Sequence, residues 1–278
     1  MNSAYDLLRH AKILIASTAA VLVLAVMVST GSAQPTEVLV YQFDPATDNL
    51  LLDGGLLDRS GNGYNGTAMA FGQPSMKFVP GHVNKQDGSQ GTALAMAGDD
   101  DLPGTGIWTG QSAKTLGIYN GSFTAMAWVN RTSIKADNMV FGTNGGPCGI
   151  LHMLHLGFRG RDTYMGFWGN DSSAAGVPPI SITLANNWHH MAWRYDTAAR
   201  TQSIFIDGAL ANSDANHDPY GTQFTVIIGR YVGIAGIGNC NSTSSGAFAG
   251  SIEFPRIFNV ALTNGQIKNA ATDLPIGP

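Results

Sequence analysis

Short runs of alternating apolar and polar residues, with no long helical pattern between them, limit what this chain can fold into. From Glu37 onward the runs alternate with a period near two and are separated by clusters of Gly, Asn, Asp, Pro and Ser, which is typical of half-buried β-strands joined by tight turns. One short helix is predicted near the C-terminus, where Thr263 can act as N-cap and Gly265 weakens the helix. The predicted strands are Val38–Phe43, Gly66–Phe71, Ala93–Ala97, Ser122–Asn130, Met139–Thr143, Met153–Phe158, Tyr164–Trp168, Ile180–Leu184, Trp188–Tyr195, Gln202–Ile206, Phe224–Ile228 and Phe248–Phe258.

The number of strands indicates two antiparallel sheets packed face to face. Strands that are not joined by helical crossovers must bury their apolar faces against one another, and a two-sheet sandwich does so. The hairpin pattern is clearest between Trp188 and Asn212, where the runs WHHMAWRYD and QSIFID flank a polar turn. No linker or internal repeat follows Gln34, so we predict a single domain over residues 34–278.

The first 33 residues have the pattern of a targeting segment. Arg9 and Lys12 precede the uncharged apolar residues 13–28, and small residues follow up to Ala33. This order is typical of a secretory signal peptide cleaved after Ala33. The alternative is a retained membrane anchor, because the apolar stretch is almost long enough to cross a bilayer. The small residues at its end favour the signal peptide, so we expect a secreted or cell-surface protein whose mature chain has no membrane span.

Charge argues against nucleic acid as a partner. The chain has 15 Lys and Arg residues against 19 Asp and Glu residues, a net charge of -4. No basic cluster is present that could neutralise a run of phosphates. Only Glu37 and Glu253 are glutamates, which restricts the carboxylate pairs available to an enzyme.

The two cysteines, Cys148 and Cys240, both lie in segments rich in Gly and Asn. Their spacing does not suggest a zinc site or a redox dithiol. In an oxidising compartment we predict a disulfide between them. Two separate buried thiols are the alternative.

Four stretches occur in a characteristic order along the chain. They are YQFD with the turn DRSGNGYNG (residues 41–44 and 58–66), GTAL with GDDD (91–94 and 98–101), FTAMAWV with NWHHMA (123–129 and 187–192), and GSIEFPRIFN with AL (250–259 and 261–262). Together they resemble the laminin G-like jelly-roll domains of the concanavalin A-like lectin and glucanase superfamily. The resemblance implies an all-β, two-sheet antiparallel jelly-roll sandwich with a short C-terminal helix.

Two residues of the closing strand depart from the family pattern. Glu253 stands where the family usually has Asp, and Pro255 replaces a residue whose N–H would normally pair, which predicts an edge position or a bulge. The resemblance also implies a structural calcium site between the early turn and the closing strand. Asp58, Asn62 and Glu253 would supply oxygen ligands together with backbone carbonyls. In the alternative, Asp58 and Asn62 only cap a turn and Glu253 faces solvent.

The motifs favour binding over catalysis. The E-x-D-x-x-E pattern of the glucanase branch is absent and cannot be assembled from two distant glutamates. No G-x-S-x-G elbow, H-E-x-x-H motif or phosphate-binding loop is present. We therefore expect a carbohydrate-recognition or adhesion module that binds a glycan or glycoprotein. A structural or matrix subunit that contacts other extracellular proteins is the alternative, and a glycoside hydrolase is the less favoured one.

A ligand-recognition surface is predicted on the strand pair formed by residues 153–158 and 164–170. His155 and Arg159 share one strand face by the period of two, and Gly157 would leave room between them. Trp168 and Asn170 share a face of the partner strand. If the two faces coincide, one surface offers a stacking ring, a guanidinium, an amide and an imidazole. If they do not, His155 and Trp168 belong to the core. Further aromatic residues in or beside Gly- and Asn-rich loops could stack on a sugar: Trp108, Tyr119, Tyr220 and Tyr231.

Overall fold

The alternating runs form strands in a computed structural model, which describes residues 35–70, 76–96, 105–132, 137–144, 150–173, 188–221, 231–234 and 248–277. These residues belong to one unit, Ala33–Pro278. Their elements are β1 (Glu37–Val40), β2 (Thr67–Ala70), β3 (Lys77–Val83), β4 (Gln90–Met96), β5 (Thr105–Ser112), β6 (Phe123–Arg131), β7 (Asp137–Asn144), β8 (His155–Arg159), β9 (Asp162–Gly166), β10 (Asp171–Ser173), β11 (His189–Asp196), β12 (Thr201–Ile206), β13 (Ala209–Asp214), β14 (Tyr231–Ile234), β15 (Gly250–Phe258) and α1 (Asn264–Ala270). The predicted signal peptide, the strands predicted at residues 180–184 and 224–228, Cys148 and Cys240 lie outside the described residues.

The strands build two antiparallel sheets. The eight-stranded sheet has the order β13-β12-β11-β6-β15-β4-β3, with β1 also paired to β15, and the seven-stranded sheet has the order β10-β9-β8-β7-β14-β5-β2. Trp193 of β11 meets Phe141 of β7 and Phe158 of β8 edge-on, with ring centroids 6.1 Å and 6.4 Å apart. Because these contacts join the two sheets face to face, they confirm the predicted all-β sandwich.

The period of two decides which side chains enter the core. In β6, Phe123, Ala125 and Val129 belong to the cluster between the sheets. Met126, on the alternate face of the same strand, belongs to a separate cluster beneath α1. Burying one large apolar side chain contributes about 1.5–3 kcal/mol to stability. This alternation therefore largely determines which faces of the two sheets pack against each other.

The helix α1 covers part of the eight-stranded sheet. Thr263 is its N-cap, as predicted, and the Thr263 hydroxyl accepts a hydrogen bond from the Gln266 N–H at 3.2 Å. The Gln266 side chain returns a bond to the Thr263 N–H at 2.8 Å, which completes a capping box. Ile267 is buried against Met126 and Phe205. Within the described ranges, no helix is long and apolar enough to span a membrane.

Five of the described strands were not predicted because they lack apolar alternation. β3, β10 and β13 are edge strands, and β10 and β13 have the polar sequences DSS and ALANSD. β5 and β14 contain glycines that indicate a break in a strand. Backbone pairing with a neighbouring strand stabilises these segments, and a single sequence does not show that pairing.

Pro255 marks the predicted irregularity in the closing strand β15. The register against β6 shifts between Glu253 and Arg256, and Phe254 has a φ of 48°. Since β15 lies between β6 and β4, the feature is a bulge in a central strand and not an edge position. The bulge directs both Glu253 and Arg256 to the same cavity.

Candidate functional site

On the outer face of the seven-stranded sheet, directed away from the core, the predicted candidates Trp108 and His155 lie in one row. Residues directly opposite each other in antiparallel strands share a face. The row crosses the sheet in the order Thr67, Trp108, Gly233, Gly142, His155, Gly166, Asp171. The adjacent row contains the core residues Ile107, Phe141 and Leu156. Trp108 and His155 therefore lie three strand spacings apart, about 14 Å.

A cavity of about 410 Å³ opens at the Trp108 end of this row. We call it the Trp108 cleft. Trp108 is half-buried, whereas the preceding residue, Ile107, is fully buried in the core. The side chains that give the cleft its chemistry are Asp53, Asn65, Thr67, Trp108, Thr109 and Gln111. The cleft thus combines an indole ring with carboxylate, amide and hydroxyl groups.

Hydrogen bonds fix one wall of the Trp108 cleft. The Thr67 hydroxyl donates to the Asp53 carboxylate and accepts from the Gly54 N–H at 2.9 Å. The Asn65 side-chain oxygen accepts a hydrogen bond from the Asp58 N–H at 3.0 Å. The Nδ2 group of Asn65 is the part of this amide that can donate hydrogen bonds. Among the described residues, no hydrogen bond uses the side-chain amide of Gln111. The wall is ordered and still presents polar groups for a ligand.

His155 and Trp168 come together at the other end of the row. Their ring centroids are 5.6 Å apart at an interplanar angle of 67°. His155 is buried and Trp168 is half-buried. The structure therefore brings the imidazole and the indole into contact, as expected if the two strands shared one face. The contact arises because Trp168 lies in the turn after β9, and not because it lies on a strand face.

Trp168 lies in a turn and not on the predicted strand face. β9 ends at Gly166, and Trp168 has a φ of 61°. The Asp171 carboxylate caps this turn, because it accepts a hydrogen bond from the Gly169 N–H at 3.3 Å and another from the N–H of residue 167. The strand stops two residues earlier than predicted, so the period-two argument was wrong for Trp168 and Asn170.

Arg159 shares the His155 face of β8, but its guanidinium stacks on a tyrosine. The guanidinium carbon lies 3.9 Å from the centroid of the Tyr164 ring. Burial and a hydrogen bond to Asp171 raise the pKa of Tyr164, so its hydroxyl stays protonated at neutral pH. The room expected above Gly157 is absent, because a Cβ atom there would collide with the β7 backbone.

Asn170 anchors the Trp168 turn to the rest of the protein. Its Oδ1 atom pairs with Nδ1 of His217 at 2.8 Å, and its Nδ2 group donates to the carbonyl of Asp218 at 3.0 Å. The Asn170 carbonyl accepts from the Gln202 side chain at 3.0 Å. Both polar atoms of the amide thus have protein partners, and the structure does not bring this amide to the row of His155.

The three predicted calcium ligands lie in two separate hydrogen-bond networks. Asp58 and Asn62 meet around Ser60, and Asn62 donates to the Ser60 hydroxyl at 3.1 Å. Among the described residues, no group of three or more His, Cys, Asp or Glu side chains could hold a metal ion. The Asp58 carboxylate accepts four hydrogen bonds, from the N–H groups of Val40, Ser60 and Tyr64 and from the Ser60 hydroxyl. These contacts fit the turn-capping alternative for Asp58 and Asn62. The calcium site itself stays a prediction.

Glu253 is buried against a second cavity, of about 750 Å³, on the eight-stranded sheet, and does not face solvent. Glu253 Oε2 lies 2.8 Å from Nδ1 of His82, and Nε2 of the same ring lies 2.9 Å from Asp273 Oδ1. Burial lowers the pKa of His82, but the hydrogen bonds and charges of Glu253 and Asp273 outweigh burial, so the net effect raises this pKa. The imidazole bridges two carboxylates. We call these three residues the His82 cluster.

The contacts beside the His82 cluster dock the turn that follows α1. The Lys85 N–H donates to the Asp273 carboxylate at 2.9 Å, and the Lys85 ammonium donates to the carbonyl of Ala271 at 2.8 Å. The Gln86 side chain donates to the carbonyl of Thr272 at 2.6 Å. The hairpin between β3 and β4 therefore holds the C-terminal turn, which gives this polar cluster a structural role.

The comparison with protein families matches residues 105–268 to the Concanavalin A-like lectin/glucanases superfamily. This range is more than half of the chain and includes both the Trp108 strand and the His155 strand. The chain belongs to the concanavalin A-like lectin/glucanases superfamily. The resemblance seen in the sequence motifs is thereby confirmed. The comparison of this superfamily member with curated proteins found no match.

Solved structures share the sandwich of this superfamily member. Domain 4 of AbnA, a GH43 extracellular arabinanase from Geobacillus stearothermophilus in complex with arabinotriose, has a TM-score of 0.57 and 19% identity, with coverage of 86% of this chain and 99% of that chain. A receptor binding domain has a TM-score of 0.51 and 12% identity, covering 86% of this chain and 51% of that chain. The CBM40 of Ruminococcus gnavus IT-sialidase, bound to alpha2,3 sialyllactose, has a TM-score of 0.49 and 16% identity, covering 60% and 92%. At these identities the likeness to the first two structures establishes the fold alone.

Trp108 was predicted as a stacking candidate, whereas its polar neighbours in the cleft were not. Asp53 and Asn65 lie in the loop before β2, and Thr67 begins β2. They meet Trp108 because β2 pairs with β5, with Thr67 opposite Trp108. The sequence shows this loop as a cluster of turn-forming residues, but it does not show the strand pairing that brings the loop to the indole.

Two of the other aromatic candidates, Tyr119 and Tyr220, do not form comparable sites among the described residues. Tyr220 is buried in the core. Tyr119 packs edge-on against it, with ring centroids 6.2 Å apart. The side chain of Tyr231 lies outside the described part of the chain.

Proposed function

We propose that this superfamily member is a non-catalytic carbohydrate-binding domain of the extracellular space, and that the Trp108 cleft is its sugar-binding site. The observation that carries the proposal is the half-buried indole of Trp108 in a cavity with polar side chains on its wall. An aromatic ring can pack on the C–H face of a pyranose, while neighbouring amides and carboxylates form hydrogen bonds with its hydroxyl groups. Both requirements are met within one cleft.

The polar side chains of the cleft suit the hydroxyl groups of a sugar. Asp53 accepts hydrogen bonds, the Asn65 Nδ2 group donates them, and the Gln111 amide does both. A sugar hydroxyl donates one hydrogen bond and accepts others, so it can satisfy groups of either kind. The indole supplies stacking area, and these three side chains supply orientation.

The positions of the carboxylates favour binding over hydrolysis. A glycosidase places two carboxyl groups about 5–10 Å apart around the scissile bond. Asp53 is the one carboxylate among the described side chains of the cleft. Glu37 pairs with Arg256 at 3.3 Å, and Glu253 pairs with His82 on the other sheet. We therefore propose recognition without bond cleavage.

A protein of similar fold supports a sugar as the ligand. Domain 4 of AbnA was solved in complex with arabinotriose, and the likeness covers 99% of that chain. For the present protein we propose a glycan or glycoprotein as partner. The targeting pattern of residues 1–33 supports an extracellular location for this encounter.

The cluster of His155, Arg159, Tyr164 and Trp168 provides a second contact region on the same face. Trp168 is half-buried and Arg159 is exposed, so both offer surface to a ligand. Trp108 lies about 14 Å from His155 across the strands. We propose that a sugar chain longer than this distance contacts both regions, with the Trp108 cleft as the principal one.

The proposal is tested by glycan-array screening of the secreted chain, followed by calorimetry on the wild type, Trp108→Ala and Trp168→Ala. Trp168→Ala is the comparison variant, because it removes a half-buried indole from the second contact region and leaves the Trp108 cleft intact. We expect Trp108→Ala to weaken binding about tenfold or more and Trp168→Ala to weaken it less than about threefold. Absence of glycan binding would overturn the function. Loss of binding in Trp168→Ala alone would overturn the assignment to the Trp108 cleft.

A further inference from the structure

The Trp108 cleft has an unbalanced charge. Asp53 is exposed and carries a carboxylate, and none of the described lining side chains is Lys, Arg or His. Two arginines outside the cleft have partners of their own, since Arg59 pairs with Asp48 at 3.5 Å and Arg159 stacks on Tyr164. The described residues of this cleft therefore offer a ligand one negative charge and neutral polar groups.

Backbone donors on the wall of the cleft are also engaged. The Gly54 N–H donates to the Thr67 hydroxyl at 2.9 Å, and the Gln111 N–H donates to the Thr109 hydroxyl at 3.1 Å. Carboxylate ligands are usually held by arginine, lysine or groups of unpaired backbone N–H donors. Among the described residues, no arginine or lysine lines the cleft, and these two N–H groups already have acceptors.

The Asp53 carboxylate can accept hydrogen bonds but cannot donate them. One of its oxygens accepts from the Thr67 hydroxyl, and no described hydrogen bond uses the other. A sugar hydroxyl can donate to that oxygen, whereas an ionised sugar carboxylate has no proton to donate. Two like charges at close range also repel each other.

We propose that the Trp108 cleft selects uncharged glycans and rejects glycans that carry carboxylates, such as uronic or sialic acids. The inference rests on the proposed function and adds the ligand class. Asp53 is the residue that determines this specificity. It does so through its charge and through its remaining acceptor oxygen.

The test uses one pair of glycans that differs only at the carboxyl group, carboxyl-reduced and native polygalacturonate. Two further pairs, xylan with glucuronoxylan and lactose with sialyllactose, compare a neutral glycan with one that carries an additional acidic sugar. Binding is measured at low ionic strength for the wild type, Trp108→Ala, Asp53→Asn and Asp87→Asn. Asp53→Asn keeps the shape of the side chain and its acceptor for Thr67. Asp87→Asn removes the same charge from an exposed position in the β3–β4 hairpin of the other sheet and controls for net charge.

In at least one pair, we expect the neutral glycan to bind in a Trp108-dependent way. We expect the acidic glycan of that pair to bind at least about tenfold more weakly. Asp53→Asn should reduce that preference about fivefold, and Asp87→Asn should leave it unchanged. Trp108-dependent binding of an acidic member as tightly as its neutral partner would overturn this inference and leave the carbohydrate-binding function standing. Failure of every glycan to bind would overturn the proposed function together with the inference.

Discussion

The imidazole of His82 stacks on the indole of Trp128, with ring centroids 4.0 Å apart and an interplanar angle of 14°. The same imidazole joins Glu253 of β15 to Asp273 in the turn after α1. The Lys85 ammonium lies 4.8 Å from the centroid of the Trp128 ring. One histidine therefore ties the β3–β4 hairpin, the closing strand and the C-terminal turn together by stacking and by charge.

Replacement of His82 should change how stability depends on pH. Because the two carboxylates raise the pKa of His82 above its ordinary value near 6.5, protonation favours the folded state. The stabilisation is complete below the unfolded pKa and is lost as pH rises through the folded pKa. We expect His82→Gln to lower the free energy of unfolding by about 1–2 kcal/mol near pH 6 and by less near pH 9. Denaturant melts across this range measure the difference.

His189→Gln is the control for the His82 experiment. His189 pairs with Asp207 at 2.8 Å, but its side chain is 23% exposed and that of Asp207 is 43% exposed. Exposed pairs of this kind contribute about 0–1 kcal/mol. If both variants show the same pH profile, the His82 cluster is not the source of the pH dependence.

Gly91→Ala should destabilise the fold, whereas Gly265→Ala should not. A Cβ atom at Gly91 would overlap the Glu253 carboxylate, which fills the space above that glycine. We expect a loss of about 2–3 kcal/mol, because Glu253 cannot move without breaking its contact with His82. Gly265 lies in the first turn of α1 with open space around it, so alanine there should add about 0.5–1 kcal/mol of stability. Thermal melts that show equal effects at both sites would contradict the packing described for Glu253.

Asp58→Ala tests whether the early turn is held by hydrogen bonds or by calcium. The carboxylate accepts four hydrogen bonds within its own loop and β1, so its removal should cost about 2 kcal/mol in buffer that contains a chelator. Melting temperatures of the wild type and the variant are compared with chelator and with millimolar calcium. A destabilisation that is seen only with calcium would contradict the capping account and restore Asp58 as a metal ligand.

Sequence patterns predicted the sandwich because alternation and burial agree in its central strands. The inward residues of β6 from Phe123 to Val129 are apolar, and so are Met191 and Trp193 of β11, so the period of two could be read directly. The edge strands β10 and β13 are polar and form because a neighbour offers backbone groups for pairing. Local sequence does not contain that information.

The site was harder to predict because its parts come from distant segments. The period of two predicted one shared strand face for His155 and Arg159, but it left open whether that face lies outside or in the core. It was wrong for Trp168, because Asp171 caps a turn that ends β9 at Gly166. Trp108 was recognisable as an aromatic residue in a segment rich in Gly. Asp53, which lines the same cleft, was not recognisable, because its position beside Trp108 depends on the pairing of β2 with β5.

The most direct test of the account is an NMR titration of the indole N–H signals with the glycan that binds most tightly in the array. The chain has 5 tryptophans, and the Trp108 signal is assigned from its absence in Trp108→Ala. We predict that the Trp108 signal shifts most on binding, while the signals of the buried Trp128 and Trp193 change little. A titration in which the glycan binds and the Trp108 signal stays in place would contradict the assignment of sugar recognition to the Trp108 cleft.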